Sequence, residues 1–190
     1  MLNHNSLLKL GASLVAIEPG WSAGFFIRED LILTAGHCLR DRPTVLEIHT
    51  RTGEVIWGRI VAIDSEVDIG LISVPRERHK ATPLSFLQEP LIWPLFYFEK
   101  SPISLGVLMK ETNHNGHPFE VEYGHYIGDT VVPGWETDLH HLKVYSRKGF
   151  SGAPIIHNDQ VCGMLVAGND WGEVFAVPSK YLQDFIFRKA

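Results

Sequence analysis

Thirteen short runs rich in β-branched and aromatic residues, each closed off by glycine, proline or other turn formers, constrain this chain more than any other feature. They are predicted at residues 13–17, 24–27, 31–34, 45–49, 55–63 and 69–74, then at 95–97, 105–109, 123–127, 143–145, 153–157, 160–166 and 174–177. Turn signals recur roughly every 8–12 residues, the rhythm of an all-β sandwich or barrel. Helical period is confined to the end, where Ser179 is placed to cap a helix through Arg188. Tyr181, Leu182, Phe185 and Ile186 form its one apolar stripe. Residues 75–94 hold four prolines and no clear period, which marks them as the crossing between two lobes. No internal repeat or low-complexity segment interrupts the pattern.

The 190 residues suit one domain or two half-size lobes sharing a core system. A chain of this length buries roughly 70% of its unfolded surface, so folding requires neither disulfides nor a structural metal. Charge excludes one class of function: the net charge is −5 with no basic block, which argues against nucleic acid as a partner. No apolar run approaches the roughly 20 residues that span a bilayer. Lys9 and Glu18 bracket only a short apolar piece without a cleavage site after it, so no secretory leader is read and no membrane partner is expected. Cys38 and Cys162 are too few for a disulfide framework, and two buried free thiols fit the cytoplasmic location expected here.

Three motifs carry chemistry. Leu31-Ile32-Leu33-Thr34-Ala35-Gly36-His37-Cys38 is an apolar strand running into small residues and a histidine. Val67-Asp68-Ile69-Gly70-Leu71-Ile72 is an aspartate opening a strand, and Lys148-Gly149-Phe150-Ser151-Gly152-Ala153-Pro154 sets a serine among glycines. A serine hydroxyl is a weak nucleophile at neutral pH and needs an imidazole to take its proton. The imidazole needs a carboxylate to fix its tautomer and stabilise the imidazolium. Glycines beside Ser151 free the backbone to aim its amides at a developing oxyanion. Asp64 competes with Asp68 for the carboxylate role, and Asp68 is preferred because it opens the buried strand directly.

The chain resembles the trypsin/chymotrypsin-like serine peptidases. Thr34–Cys38 is similar to their histidine motif, Val67–Ile72 to their aspartate motif, and Gly149–Pro154 to their nucleophile motif, in the order His, Asp, Ser. Residues 61–68 and 175–179 look closer to the bacterial high-temperature-requirement branch than to digestive enzymes. The resemblance implies an all-β fold of two packed antiparallel β-barrels with a C-terminal α-helix. It places the N-terminal barrel at about 1–80, the C-terminal barrel at about 95–178 and the helix at 179–189, in a single peptidase domain. It further implies a serine endopeptidase acting on protein or peptide substrates through an acyl-enzyme, without a cofactor. His37, Asp68 and Ser151 would be the triad, and the backbone amides of Gly149 and Ser151 the oxyanion hole.

Departures from the family pattern qualify that expectation. Phe150 stands where trypsin-type members carry an aspartate that receives the new N-terminus, so activation by that route is not expected and the Gly149 amide is free to switch orientation. Cys38 begins the histidine-loop disulfide of the family, but its partner position falls near Ser22. Ala153 replaces a glycine. Val166 replaces a serine that would bond the triad aspartate, leaving Asp68 short of a donor unless a water or a backbone amide supplies one. The substrate-binding residues implied are Tyr145, Val166, Ala167, Gly168 and Glu173, with Leu165–Gly168 as an edge for strand addition. Two pockets stay open: a basic-residue pocket if Glu173 points inward, or a shallow apolar one walled by Tyr145 and Val166 if it points to solvent.

Ten histidines invite a metal, but no spacing suits zinc and no cysteine pair accompanies them, so no metal site is expected. His140 and His141, adjacent on a strand, face opposite ways, and Ser65 and Ser146 are read as ordinary loop serines. The rival expectation is a catalytically latent or inactive binding module of the same fold. By family analogy such a module is the effector domain of a larger bacterial signalling or defence protein, with a regulatory domain or activator protein as its partner.

Overall fold

The computed structural model describes residues 2–76, 81–88, 102–108, 119–169 and 171–189. A helix α1 (His4–Ser13) precedes six strands: β1 (Leu14–Ile17), β2 (Ser22–Arg28), β3 (Leu31–Ala35), β4 (Val45–Thr50), β5 (Val55–Asp64) and β6 (Ile69–Ser73). Six more follow: β7 (Pro102–Leu108), β8 (Phe119–Thr130), β9 (Leu139–Lys143), β10 (Pro154–His157), β11 (Gln160–Gly168) and β12 (Glu173–Pro178). Helix α2 (Ser179–Lys189) ends the chain's described part. Each set of six closes into an antiparallel barrel, in the orders β1-β2-β3-β6-β5-β4 and β10-β11-β12-β9-β8-β7. Closure removes the long free edge of an open sheet, though β11 runs past the start of β10 and leaves Val166–Gly168 paired only on the β12 side.

Alternation explains the interiors. Along β5 the inward positions Ile56 and Gly58 are buried while Val55, Trp57 and Arg59 face solvent. Apolar side chains such as Phe26, Ile32, Ile48 and Ile72 fill the first barrel, and Leu105, Leu142, Ile155 and Val174 the second. A third cluster, including Phe25, Leu33, Met164, Leu182 and Phe185, lies outside both barrels and joins them to α2. Fully burying each such side chain stabilises the fold by about 1.5–3 kcal/mol, so this third cluster is a substantial adhesive between the halves.

The expected crossing is partly described, and it holds both barrels. Leu84 N–H donates to the Phe26 carbonyl, while Leu87 N–H donates to Val161 and Val161 N–H to Ser85. The strand expected at residues 95–97 lies outside the described residues. The helix expected from Ser179 is present as α2, but the Ser179 hydroxyl bonds the Leu87 carbonyl, at 3.2 Å, instead of capping.

Two expectations need correction. Helical period was read only at the C-terminus, yet α1 is a ten-residue helix. Its start is fixed by Asn3, whose side chain accepts the Ser6 amide at 2.9 Å, and Gly11 lets it lie against Phe119. A Cβ at Gly11 would come within 2.7 Å of that ring. The helix buries only a narrow edge, Leu10, Gly11 and Ser13, so it left no apolar stripe to read. The strand expected at 143–145 is instead Leu139–Lys143. Val144 leaves the ladder to donate to the Gly172 carbonyl, and Tyr145 projects into solvent.

Candidate active site

β3 delivers the histidine. Its last residue, Ala35, leads into a single 3-10 turn, Gly36–Cys38, which swings His37 out from the end of the barrel. Gly36 is pressed against the start of β6: a Cβ there would meet Asp64, Asp68 and Ile69 backbone atoms at 3.1 Å. Its amide donates to the Asp68 carbonyl at 2.9 Å. Asp68 itself adopts φ +57°, a left-handed backbone that aspartate tolerates better than most residues. That twist turns its buried carboxylate back to His37.

The carboxylate takes two bonds from one residue. Asp68 Oδ2 lies 2.5 Å from His37 Nδ1, and Oδ1 accepts the His37 backbone N–H at 2.6 Å. The backbone amide therefore supplies the donor that Val166 cannot. Arg40 Nη2 stands 3.9 Å from Oδ1. The Asp68 carboxylate, and next the Cys38 thiol, push the His37 imidazole up to about 10, against the opposing effect of burial.

Ser151 is held at the seam of the barrels. Its carbonyl accepts the Ala23 amide at 3.0 Å, and Cys38 Sγ lies 3.9 Å from the same oxygen. Gly152 sinks against β2 and β3, with φ +90° and no room for a side chain, since a Cβ would meet Ala23 O at 2.1 Å. The residue after His37 thus touches the main chain of Ser151. Among the described residues no hydrogen bond joins Ser151 Oγ to His37.

Residues 147–150 form a turn in which Phe150 N–H donates to Arg147 O at 3.1 Å and Gly149 takes φ +96°. A positive φ at the third position is the type II form. The Phe150, Gly152 and Ala153 amides go to the Arg147, Leu165 and Phe150 carbonyls. Among the described residues the Gly149 and Ser151 amides have no backbone acceptor. Phe150 is buried in the second barrel's core, so apolar burial anchors the loop where the family pattern has a charge.

The expected substrate-binding residues gather at the ends of β9, β11 and β12. Val166 is buried at a bulge, Ala167 and Gly168 pair Phe175 and Val174, and Tyr145 is 55% exposed. Ser146 faces Gly168 closely enough that a Cβ there would stand 2.8 Å from its hydroxyl. Asn169 Nδ2 donates to Glu173 Oε2 at 3.1 Å, while His141 Nε2, 3.6 Å from Oε1, is too far away for a hydrogen bond. The His141 ring stacks on Phe175 at 5.2 Å. Sequence reasoning gave His141 no role at the site, read Ser146 as an ordinary loop serine and passed over Asn169. The signal available was the adjacency of His140 and His141, which sends the second ring to the face opposite the first.

A second histidine–carboxylate pair lies elsewhere. Asp129 Oδ1 accepts from Tyr126 O–H at 2.9 Å and stands 2.6 Å from His140 Nδ1, beside a 300 Å³ cavity that Cys162 also lines. Burial pushes the Cys162 thiol up to about 12, so it presents no thiolate. Both cysteines are buried free thiols. Among the described residues no group of three or more His, Cys, Asp or Glu side chains could hold a metal ion, and no helix is long and apolar enough to cross a membrane.

A family model described as "Trypsin-like peptidase domain" matches residues 22–167, which include all three motifs. No curated protein sequence matches significantly. Among solved structures, the active form of the Rv3671c protease from M. tuberculosis has a TM-score of 0.78 at 18% identity, over 97% of this chain and 84% of that one. Its inactive form gives a TM-score of 0.76 at 18% identity, over 97% and 92% of the two chains. An inactive serine-to-alanine mutant from M. tuberculosis H37Rv gives 0.76 at 17% identity, over 98% and 91%.

Proposed function

The chain belongs to the trypsin-like peptidase family, and from that premise we propose that it is a serine endopeptidase with Ser151 as nucleophile. The observation that carries the proposal is the His37–Asp68 pair at 2.5 Å, set at the barrel end whose next residue touches Ser151. In this reading Ser151 Oγ attacks the scissile carbonyl carbon while its proton passes to His37 Nε2. Asp68 holds Nδ1–H and offsets the imidazolium charge. The oxyanion collects against the two amides, Gly149 and Ser151, that have no backbone acceptor. His37 then returns the proton to the leaving amine, and a water repeats the sequence to release the acyl group. No cofactor enters any step.

The close packing of Ser146 on Gly168 leaves little depth beside Tyr145 and Val166, which favours a small or apolar P1 side chain. Glu173 is already bonded by Asn169, which speaks against a basic P1. Substrate would add as a strand along Val166–Gly168. A fluorophosphonate probe tests the nucleophile, because it reacts where serine, base and oxyanion hole are assembled. Labelling of the intact protein, lost in Ser151→Ala and in His37→Ala, is expected; labelling that persists in Ser151→Ala would overturn the assignment.

A latent form of the same site is the second reading. It is favoured by the missing Ser151–His37 hydrogen bond and by the imidazolium that Asp68 and Cys38 stabilise. A partner or regulatory domain would then complete the dyad. Folded protein that resists the probe at every pH would support it.

A further inference from the structure

The type of turn at 147–150 decides where the Gly149 N–H faces. Type I and type II turns differ by a rotation of the central peptide of roughly 180°, and a glycine at the third position is at ease in both. Within the turn itself only the Phe150 N–H to Arg147 O bond, at 3.1 Å, closes the loop, and both forms can make it. Something outside the turn must select the form.

Arg147 has the contacts to do so. Its Nη2 donates to Glu120 Oε2 at 2.6 Å, and its guanidinium carbon lies 5.5 Å from the centre of the Phe150 ring. One side chain therefore ties the first residue of the turn to β8 and covers the last. The anchor is firm, because β8 is hydrogen-bonded to β7 on one side and β9 on the other. Glu122, two residues along the same face, has its carboxyl raised by burial and then by Glu120, and is lowered by Arg147. The Arg147–Glu120 pair is partly exposed, with side chains 45% and 27% accessible, and such pairs add little to global stability.

Resting on the serine peptidase reading, we propose that Arg147 is a positioning residue for catalysis: its ion pair to Glu120 and its cover over Phe150 hold the 147–150 turn in the form that frees the Gly149 amide. Neither side chain touches the reacting atoms. The effect is transmitted through the backbone of the turn, so it falls on the transition state and leaves substrate binding largely alone.

The test compares wild type with Arg147→Met and with the charge-swapped double variant Glu120→Arg plus Arg147→Glu, in the full chain. In Arg147→Met we expect fluorophosphonate labelling, and kcat on a peptide substrate, to fall about tenfold with KM unchanged. Without its tether the turn also opens more often, so amide hydrogen exchange at Phe150 should rise about tenfold while the melting temperature holds. The swap should bring both readouts back towards wild type. An Arg147→Met protein that labels and exchanges like wild type overturns the proposal, as does a swap no better than the single change. If wild type itself never labels, the peptidase reading fails; exchange at Phe150 then still decides whether the tether exists.

Discussion

The Ala23 amide donates to the carbonyl of Ser151 at 3.0 Å, so the proposed nucleophile, a second-barrel residue, is bonded to the first barrel. The bond lies beside Thr34, whose hydroxyl donates to the Ala23 carbonyl at 2.7 Å. From that threonine the chain reaches His37 three residues later, through the end of β3 and the 3-10 turn. Base and nucleophile are therefore registered through two hydrogen bonds and a three-residue run of main chain, not through a flexible interface.

Gly152 is the tightest point of that register. An alanine there combines a positive φ of +90° with a Cβ 2.1 Å from Ala23 O, and backbone cannot yield as a side-chain tip would. Gly152→Ala should cost about 2–4 kcal/mol in stability, from overpacking and left-handed strain together. Urea denaturation measures it, and a loss below about 0.5 kcal/mol, the range of an ordinary surface change, would contradict the packing described.

His37 makes activity rise with pH. Its imidazole is pushed up to about 10, first by Asp68 and then by Cys38, so the neutral base accumulates only on the alkaline side. The kcat/KM profile should climb well above the ordinary histidine value of about 6.5. Cys38→Ala removes the second cause and should move the limb to lower pH. Stability runs the other way: the contribution of the protonated His37–Asp68 pair is complete below about 6.5 and is lost as pH rises through the raised value. A limb that stays put in Cys38→Ala would remove the thiol from the account.

Phe150 should act through the loop it anchors. Phe150→Ala empties a site in the second barrel's core and is expected to cost about 3–5 kcal/mol. Phe150→Leu keeps most of the apolar volume and should retain most of the labelling rate. Equal labelling in all three proteins would show that the buried ring is unconnected to the oxyanion loop.

Glu173 should not set a basic P1 preference, because Asn169 already bonds one oxygen of its carboxylate. A peptide library cut after small or apolar residues, with Glu173→Gln altering the profile less than about threefold, is the expected result. Cleavage after arginine or lysine that disappears in Glu173→Gln would reverse the assignment.

The paired barrels and the positions of His37, Asp68 and Ser151 were legible because each motif is local: a strand, a tight turn and one functional side chain within eight residues. What escaped depends on neighbours distant in sequence. Helix α1 is defined by Asn3 at its start and Phe119 against its glycine. The end of β9 is set when Val144 turns to Gly172. The neighbours of Glu173 come from residues 141 and 169, with His141 brought near only once β9 and β12 pair. Arg147 and Glu120, 27 residues apart, carry no shared pattern at all.

The segment from Leu84 to Leu87 has one further consequence. Within four residues it hydrogen-bonds β2 of one barrel, through Leu84, and β11 of the other, through Leu87. Whichever half of a severed molecule kept this strap would carry a ready-made recognition strip for the other half. Separately expressed halves should reassemble through it, and proline at Leu84, which removes the donor to Phe26, should abolish reassembly as read by recovered labelling. The chain would then behave as two molecules that recognise each other and happen to share one backbone.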